Sequence, residues 1–196
     1  MKSFRLIGVV AAASMLAVAL AASAVAGPTQ KQGTIVEVAA GNKSFSTLVS
    51  LVEAAGLVKP LSGKKQLTVF APTNTAFKRL EKRVPGITAA LTDPKNTKLL
   101  AQVLSYHVVA GEVKSGAAIK AAKANATVPT LLGKNANGRL SLALKGGKIR
   151  VADSAGFNVA TVVTADVDAS NGVIHVIDKV VVPKSIAAAL QKAGLL

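Results

Sequence analysis

Apolar residues in the first half of the chain recur at the spacing of a helix with one buried side. Four of them follow the i, i+3, i+4, i+7 pattern: Phe45, Leu48, Val49 and Val52. The pattern predicts a helix over Ser44 to Ala55, with the Ser44 hydroxyl capping its first turn and Gly56 ending it. Helical spacing already begins near Thr34, and a loop is expected over residues 59–65.

A short strand and two further helices complete the predicted first half. Residues 67–70 form the strand, which Pro72 stops. Asn74 is expected to cap the next helix, and Pro85-Gly86 to break it. The apolar side of that helix holds Ala76, Phe77 and Leu80. Another helix is expected to open at Asp93-Pro94, and its core positions are Leu99, Leu100, Val103 and Leu104.

From about Tyr106 onward the pattern is that of strands. Apolar or alternating runs predict strands over residues 108–109, 127–132, 140–144, 148–151, 159–167 and 173–182. Gly146-Gly147 and Asn171-Gly172 are expected to form tight turns between strands. Nearly every position over residues 173–182 is apolar or His, so that strand is expected to be covered on both faces. A terminal helix is expected over residues 185–193. Helices followed by strands, without a shift in composition, predict a single α+β domain.

A basic start and a long apolar run form the N-terminal segment. The run over residues 6–22 leads to Ala24-Val25-Ala26, a small-x-small pattern. These features predict a signal peptide over residues 1–26, cleaved after Ala26, and a secreted or periplasmic protein. The alternative is an uncleaved membrane anchor, because the run is nearly long enough to span a bilayer. No second long apolar run follows, so no transmembrane segment is expected after cleavage. A flexible lead is expected over residues 27–33.

Composition narrows the possible chemistry. The chain has no Cys, two His, one Tyr and five Phe among 196 residues, and 51% of its residues are hydrophobic. The lack of Cys excludes disulfides, thiolate catalysis, iron–sulfur clusters and Cys-type zinc sites. Because aromatic residues are so few, the core is expected to be aliphatic.

The charge of the chain indicates the kind of partner. The formal net charge is +15, and removal of Lys2 and Arg5 with the signal peptide leaves +13. A charged partner is therefore expected to be anionic. Nucleic acid is not expected, since the basic residues are spread thinly and aromatic residues that could stack on bases are nearly absent. Acidic polysaccharide is favoured, with anionic lipid head groups at a membrane surface as the alternative.

Motifs for catalysis, metals and cofactors are largely missing. The chain has no Gly-x-Ser-x-Gly elbow, phosphate loop or dinucleotide fingerprint. Asp166 and Asp168 share one face of a predicted strand, and with His175 they could serve a hydrolase, but a solvated strand end explains the pair as well. A calcium loop starting at Asp166 fails because Asn171 and Ile177 stand where it needs Gly and Glu. We therefore expect no metal, no cofactor and no enzymatic activity.

Tyr106-His107 is the most distinctive local pair, because Tyr106 is the only tyrosine. Both His107 and His175 lie in apolar strand contexts. A histidine in such a place is commonly a buried residue hydrogen-bonded to the backbone. The functional interpretation is that Tyr106 and His107 form a recognition patch; the structural one is that they hold the fold.

Three stretches, in order and at matching spacing, resemble the fasciclin (FAS1) domain family. The first is Thr68 to Phe77 (TVFAPTNTAF), the second is Tyr106 to Gly111 (YHVVAG), and the third is Asn171 to Pro183 (NGVIHVIDKVVVP). The resemblance covers residues 34–196, nearly all of the predicted mature chain.

The resemblance implies a wedge of two β-sheets, of β-sandwich type, with helices packed on one side. It implies that several residues mark the fold: Phe70, Pro72, Thr73, Asn74, Phe77, Asn171, Gly172, His175 and Asp178. It also implies a non-enzymatic, exported module for cell adhesion or contact with matrix polysaccharide or protein. In some members the Tyr-His segment contacts a receptor, which would make Tyr106 and His107 binding residues. Other members carry pigments or lipids, so a carrier of a small hydrophobic ligand is the alternative function.

Overall fold

The computed structural model describes residues 32–154 and 158–192. The predicted signal peptide over residues 1–26, its cleavage site after Ala26, and most of the predicted lead over residues 27–33 lie outside the described residues. The described residues form one α+β domain, as the sequence predicts.

Eight α-helices lie within the described ranges. They are α1 (Ile35–Ala40), α2 (Ser46–Ala54), α3 (Val58–Leu61), α4 (Asn74–Arg83), α5 (Ile87–Thr92), α6 (Thr97–Tyr106), α7 (Ser115–Lys123) and α8 (Lys184–Lys192). Short 3₁₀ turns precede α2, α6 and the fourth strand.

Seven strands are described. They are β1 (Leu67–Pro72), β2 (Val108–Ala110), β3 (Thr127–Pro129), β4 (Arg139–Lys145), β5 (Lys148–Ala152), β6 (Val159–Ala169) and β7 (Gly172–Ile177). Their hydrogen-bonded order is β2-β1-β7-β6-β5-β4-β3. The β1–β7 pair is parallel and every other pair is antiparallel.

Strand β6 joins the two halves of this order. Residues 159–161 pair with β5, whereas residues 162–169 pair with β7. The β6–β7 register shifts at two points between Val162 and Val167, and Asp166 has a φ of 57° there. Because a bulge bends a strand and raises its twist, β6 turns the sheet from one half into the other.

The core consists of two aliphatic clusters, as the composition predicts. The first lies between α1, α2 and α4–α6 and the β1–β7 pair; the second lies between α7 and strands β4–β6. All six residues of β7 are buried, because other elements cover both of its faces. This confirms the prediction made from its continuous apolar run.

The predicted helix over residues 44–55 is divided in two. A 3₁₀ turn over Lys43–Phe45 precedes α2, and the Asn42 side chain caps that turn by accepting from the Ser44 N–H at 2.9 Å. The prediction of Ser44 as the cap was therefore wrong. Gly56 does end the helix, with a φ of 67° that favours glycine.

Several other element boundaries differ from the sequence prediction. β3 ends at Pro129, and β7 ends at Ile177 although the apolar run continues to Val182. The helices α5 and α7 were not predicted, and α3 occupies part of an expected loop. The buried positions of α7 are alanines, Ala118 and Ala122, whose small side chains give little periodic contrast.

Candidate functional site

Tyr106 is fully buried at the end of α6. Its hydroxyl donates to the Arg139 carbonyl and accepts from the Ser154 N–H, both at 2.8 Å. Burial raises the pKa of Tyr106, while the hydrogen bonds from Ser154 act in the opposite direction. The residue thus ties α6 to the chain around β4 and β5, and its side chain offers no surface to a partner.

His107 follows directly and is 3% exposed. Its Nδ1 donates to the Val103 carbonyl at 2.8 Å, and its Nε2 accepts from the Val181 N–H at 3.2 Å. Burial lowers the pKa of His107 to about 4, so the ring is neutral at pH 7. The burial of both residues favours their structural interpretation over a recognition patch.

The first fasciclin-like stretch holds α4 against α2. Thr73, not Asn74, caps α4: its hydroxyl accepts from the Ala76 N–H at 3.3 Å. The prediction for Asn74 was wrong because its side chain is used elsewhere. It accepts from the Thr47 N–H at 3.0 Å and donates to the Ser46 hydroxyl at 2.9 Å, so it caps the start of α2. The other marked residues of this stretch are buried: Phe70, Pro72 and Phe77.

The third stretch begins with a turn that depends on both Asn171 and Gly172. The Asn171 side chain accepts from the Ile35 N–H at 2.8 Å and donates to the carbonyls of Leu61 and Gly63 at 2.7 and 2.9 Å. Gly172 has a φ of 142°, and a Cβ there would lie 1.8 Å from the Leu67 carbonyl oxygen. This close approach of β1 requires glycine at position 172.

His175 and Asp178 also hold the fold. The His175 Nδ1 accepts from the Asp166 N–H at 3.3 Å, its Nε2 donates to the Val113 carbonyl at 2.8 Å, and its ring lies 5.6 Å from that of Phe70. The Asp178 carboxylate accepts from the Thr161 N–H at 2.6 Å, which closes the start of β6 onto the end of β7.

The acidic pair on β6 meets the start of α7. Asp166 accepts from the N–H of Ser115 at 2.7 Å and from its hydroxyl, and Asp168 forms an ion pair with Lys114 at 3.3 Å. The hydrogen bond from the Ser115 hydroxyl lowers the pKa of Asp166. The pair is thus engaged in tertiary contacts and is not a freely solvated strand end.

This cluster lacks the geometry of a nucleophile and base. The Ser115 hydroxyl points to Asp166, and backbone groups occupy both ring nitrogens of His175. A hydrolytic triad requires the serine to bond to a histidine that can take its proton. Within the described ranges there is also no group of three or more His, Asp or Glu residues that could hold a metal ion.

The exposed side of α4 is strongly basic. Its inner side is Ala76, Phe77 and Leu80, as predicted, and its outer side presents Lys78, Arg79, Lys82 and Arg83. The acidic residue of this helix, Glu81, accepts from the Thr88 hydroxyl at 2.6 Å and from the Gly86 N–H at 2.7 Å. These bonds lower its pKa and turn the carboxylate toward α5. We call the four cations of α4 the α4 basic face: Lys78, Arg79, Lys82 and Arg83.

An apolar cavity lies beneath α1 and α2. Its volume is about 30 Å³, and its walls include Ile35, Leu48, Val52, Phe70, Leu104 and Ile174. That is room for about one water molecule, whereas ligand pockets measure about 300–1,000 Å³. A carotenoid or lipid is far larger than this cavity.

Comparison with known proteins identifies the family. A model of the Fasciclin domain matches residues 43–183, and the chain belongs to this family. The fold is similar to a FAS1 domain pair from the insect cell adhesion molecule Fasciclin I, with a TM-score of 0.68 and 17% sequence identity over 79% of this chain and 52% of that chain.

Relatives occur in bacteria and animals. Protein sll1483 of Synechocystis sp. is 46% identical over 79% of this chain and 76% of its own length. Transforming growth factor-beta-induced protein ig-h3 of Sus scrofa is 35% identical over 79% of this chain and 20% of its own length. Cell surface glycolipoprotein MPB83 of Mycobacterium bovis is 31% identical over 78% of this chain and 61% of its own length. The family is associated with adhesion and surface proteins that are in general non-enzymatic. In the described part of this chain, no helix has the length and hydropathy needed to cross a bilayer.

Proposed function

We propose that the protein is an exported, non-enzymatic contact module that binds an acidic polysaccharide of a cell surface or matrix through the α4 basic face. The single observation that carries this proposal is the set of four exposed cations on one helix: Lys78, Arg79, Lys82 and Arg83. Close cations of one sign raise the local concentration of a polyanion and speed its association.

Helix stability alone explains only part of this charge. Lys82 and Arg83 lie in the last turn of α4, where cations interact favourably with the helix dipole. Lys78 and Arg79 lie one turn earlier, where that effect has faded, and Glu81 is turned away from them. Arg79 also donates to the Asp178 carbonyl at 3.0 Å, and binding of a polyanion would give the charge of both earlier cations a function.

The aromatic residues favour polysaccharide over nucleic acid. Every aromatic side chain in the described ranges is buried: Phe45, Phe70, Phe77 and Tyr106. Single-stranded nucleic acids are held by bases stacked on exposed aromatic rings, and this surface has none among the described residues. An acidic polysaccharide needs only charge and hydrogen-bond donors, which the α4 basic face supplies.

Export is the second part of the proposal, and the N-terminal sequence supports it. A basic start, the apolar run over residues 6–22 and Ala24-Val25-Ala26 form the pattern of a cleaved signal peptide. Fractionation of the producing cells and N-terminal sequencing of the exported protein test this part. A mature protein beginning at Gly27 is expected; recovery of uncleaved protein from the membrane would contradict it.

The binding test uses a polymer whose charge can be removed without changing its backbone. We expect the exported protein to bind polygalacturonate, and not the fully methyl-esterified polymer, in an assay at low salt. Binding should weaken as salt rises, since exposed charges are screened. Equal binding to both polymers would overturn the proposal. Binding to anionic vesicles but not to either polymer would assign the face to a membrane surface instead.

A matched set of variants separates the α4 basic face from total charge. Four glutamines replace the cations of the face: Lys78→Gln, Arg79→Gln, Lys82→Gln and Arg83→Gln. The control removes the same charge from exposed lysines of α7 and the β4–β5 hairpin: Lys120→Gln, Lys123→Gln, Lys145→Gln and Lys148→Gln. Binding should be lost in the first set and largely kept in the second. The same loss of binding in both sets would show that the total charge attracts the polymer and that the α4 basic face is not a specific site.

A further inference from the structure

A cleft runs alongside the α4 basic face. Its volume is about 130 Å³, and it lies between α4 and the segment that follows β7. Its apolar part is lined by Ala76, Leu80 and Val180. Its polar part is lined by Asn158 and three cations: Arg79, Arg83 and Lys179. Lys78 and Lys82 stand on the same helix but do not line the cleft.

Contacts from residues next to β6 and β7 hold both arginines at the cleft. The Arg79 Nη1 donates to the Asp178 carbonyl at 3.0 Å, and the Arg83 Nη1 donates to the Asn158 side-chain oxygen at 3.1 Å. Asn158 is itself fixed, because its Nδ2 donates to the Val180 carbonyl at 2.7 Å. The guanidinium groups are therefore oriented before any ligand arrives, which lowers the entropy cost of binding.

Two carboxylates near the cleft already accept hydrogen bonds from backbone N–H groups. Asp178 accepts from the Thr161 N–H at 2.6 Å, and its other oxygen lies 3.7 Å from the Arg79 Nη1. Asp153 is buried behind Asn158 and accepts from the N–H groups of Asn158 and Val182 at 2.8 and 3.2 Å. Three cations outnumber these two carboxylates, so the formal charge around the cleft is positive.

We propose that this cleft binds one oxyanion group, a carboxylate or a sulfate, on the polysaccharide. The inference rests on the proposed function and specifies where its recognition occurs. Arginine suits this role because its planar group can donate two parallel hydrogen bonds to one oxyanion. The volume of about 130 Å³ has room for such a group and is smaller than the pockets of about 300–1,000 Å³ that enclose larger ligands. Lys78 and Lys82, which lie outside the cleft, then attract the polymer by their charge but do not orient it.

The two sources of this chemistry are distinguished by the probes. Polygalacturonate carries carboxylates, and dextran sulfate carries sulfate esters; each is tested for binding to the exported protein, with free sulfate as a competitor. A shaped oxyanion site predicts that sulfate competes more strongly than chloride at equal ionic strength. If sulfate and chloride compete equally, the salts act only by screening charge, and the cleft is not an oxyanion-binding site.

Paired variants test whether the cleft or the charge matters. Arg79→Gln with Lys179→Gln removes two charges that line the cleft; Lys78→Gln with Lys82→Gln removes two that do not. The cleft pair should lower the affinity by about tenfold, and the outer pair by less than about threefold. Equal losses would overturn this inference while leaving the proposed function intact. A native protein that binds neither polymer would overturn both.

The Arg79→Lys variant keeps the proposal testable if the double variant folds poorly. It preserves the charge and removes the planar donor pair, so an affinity loss of about threefold or more is expected at unchanged thermal stability. Unchanged affinity in Arg79→Lys would show that charge alone acts there, and would contradict an oriented arginine in the cleft.

Discussion

The side-chain oxygen of Asn171 accepts a hydrogen bond from the backbone N–H of Ile35, 136 positions earlier in the chain, at 2.8 Å. The nitrogen of the same amide donates to the carbonyls of Leu61 and Gly63. One buried side chain thus joins the start of α1, the end of α3 and the turn before β7. Its amide supplies both a donor and an acceptor, which a carboxylate does not.

We expect Asn171→Asp to destabilise the protein by about 3 kcal/mol or more, because a charged carboxylate would then face two carbonyls in a buried site. Urea denaturation at pH 7 measures the change in the free energy of unfolding. Asn137→Asp makes the same replacement at an exposed side chain and should alter it by less than about 0.5 kcal/mol. Similar values for the two variants would contradict the bridging role of Asn171.

Gly172, in the turn before β7, gives a second prediction. A Cβ at residue 172 would lie 1.8 Å from the Leu67 carbonyl oxygen, so Gly172→Ala requires β1 and β7 to separate. We expect a loss of more than about 4 kcal/mol, or no folded protein. Gly147→Ala is the control: its φ is 72° and no atom lies within 4 Å of the added Cβ. Only backbone strain of about 1–2 kcal/mol is expected there. A folded, stable Gly172→Ala protein would contradict this β1–β7 packing.

Tyr106→Phe tests the structural interpretation of the Tyr-His pair. The variant removes the hydroxyl that bonds to Arg139 and Ser154, and leaves two backbone groups without that partner. We expect a loss of about 1–3 kcal/mol in the free energy of unfolding. Binding of polygalacturonate by the folded fraction should not change, since Tyr106 is fully buried. Weaker binding at full folding would instead support a recognition role for this residue.

His107 predicts how stability depends on pH. The pKa of His107 is about 4 in the folded protein and about 6.5 in the unfolded chain. As the pH falls below 6.5, the unfolded chain takes up a proton that the folded protein does not. Stability that is present above pH 6.5 is therefore lost down to about pH 4, by roughly 3 kcal/mol in total. About half of this loss in the free energy of unfolding should be measurable by urea denaturation between pH 7 and pH 5.

His107→Gln is the control for this dependence. Glutamine can still donate and accept but does not titrate, so the slope between pH 7 and pH 5 should shrink even if the variant is less stable at pH 7. Glu81 and Asp166, whose pKa values are lowered, lose their contribution only at more acidic pH. An unchanged slope in His107→Gln would show that the loss arises from other groups.

Sequence patterns that strongly restrict the residue type at a position predicted the structure well. The continuous apolar run after Asn171 predicted a strand buried on both faces, and β7 is that strand. The Gly146-Gly147 turn joins β4 and β5, with φ values of 58° and 72° that favour glycine. These predictions hold because burial and positive φ each restrict residue type at the position itself.

Tertiary contacts decided the cases that the local sequence pattern left open. Thr73 and Asn74 both suit a helix cap, and only the approach of α2 directs Asn74 away from its own helix. His107 lies within an apolar stretch that resembles a strand, yet it ends α6. Local sequence could not settle these cases, because each alternative satisfies the same local preferences.

The sequence by itself determined the class of fold, the family, the aliphatic core and the positive charge, because hydrophobic periodicity, composition and the three ordered stretches are properties of the chain. Only the tertiary structure decided where that charge is arranged. Arg79 and Lys179 are 100 positions apart in numbering and line one cleft because β7 returns beside β1 and carries the following segment to α4. Distances between residues far apart in sequence are fixed by strand pairing and packing, which no local pattern contains.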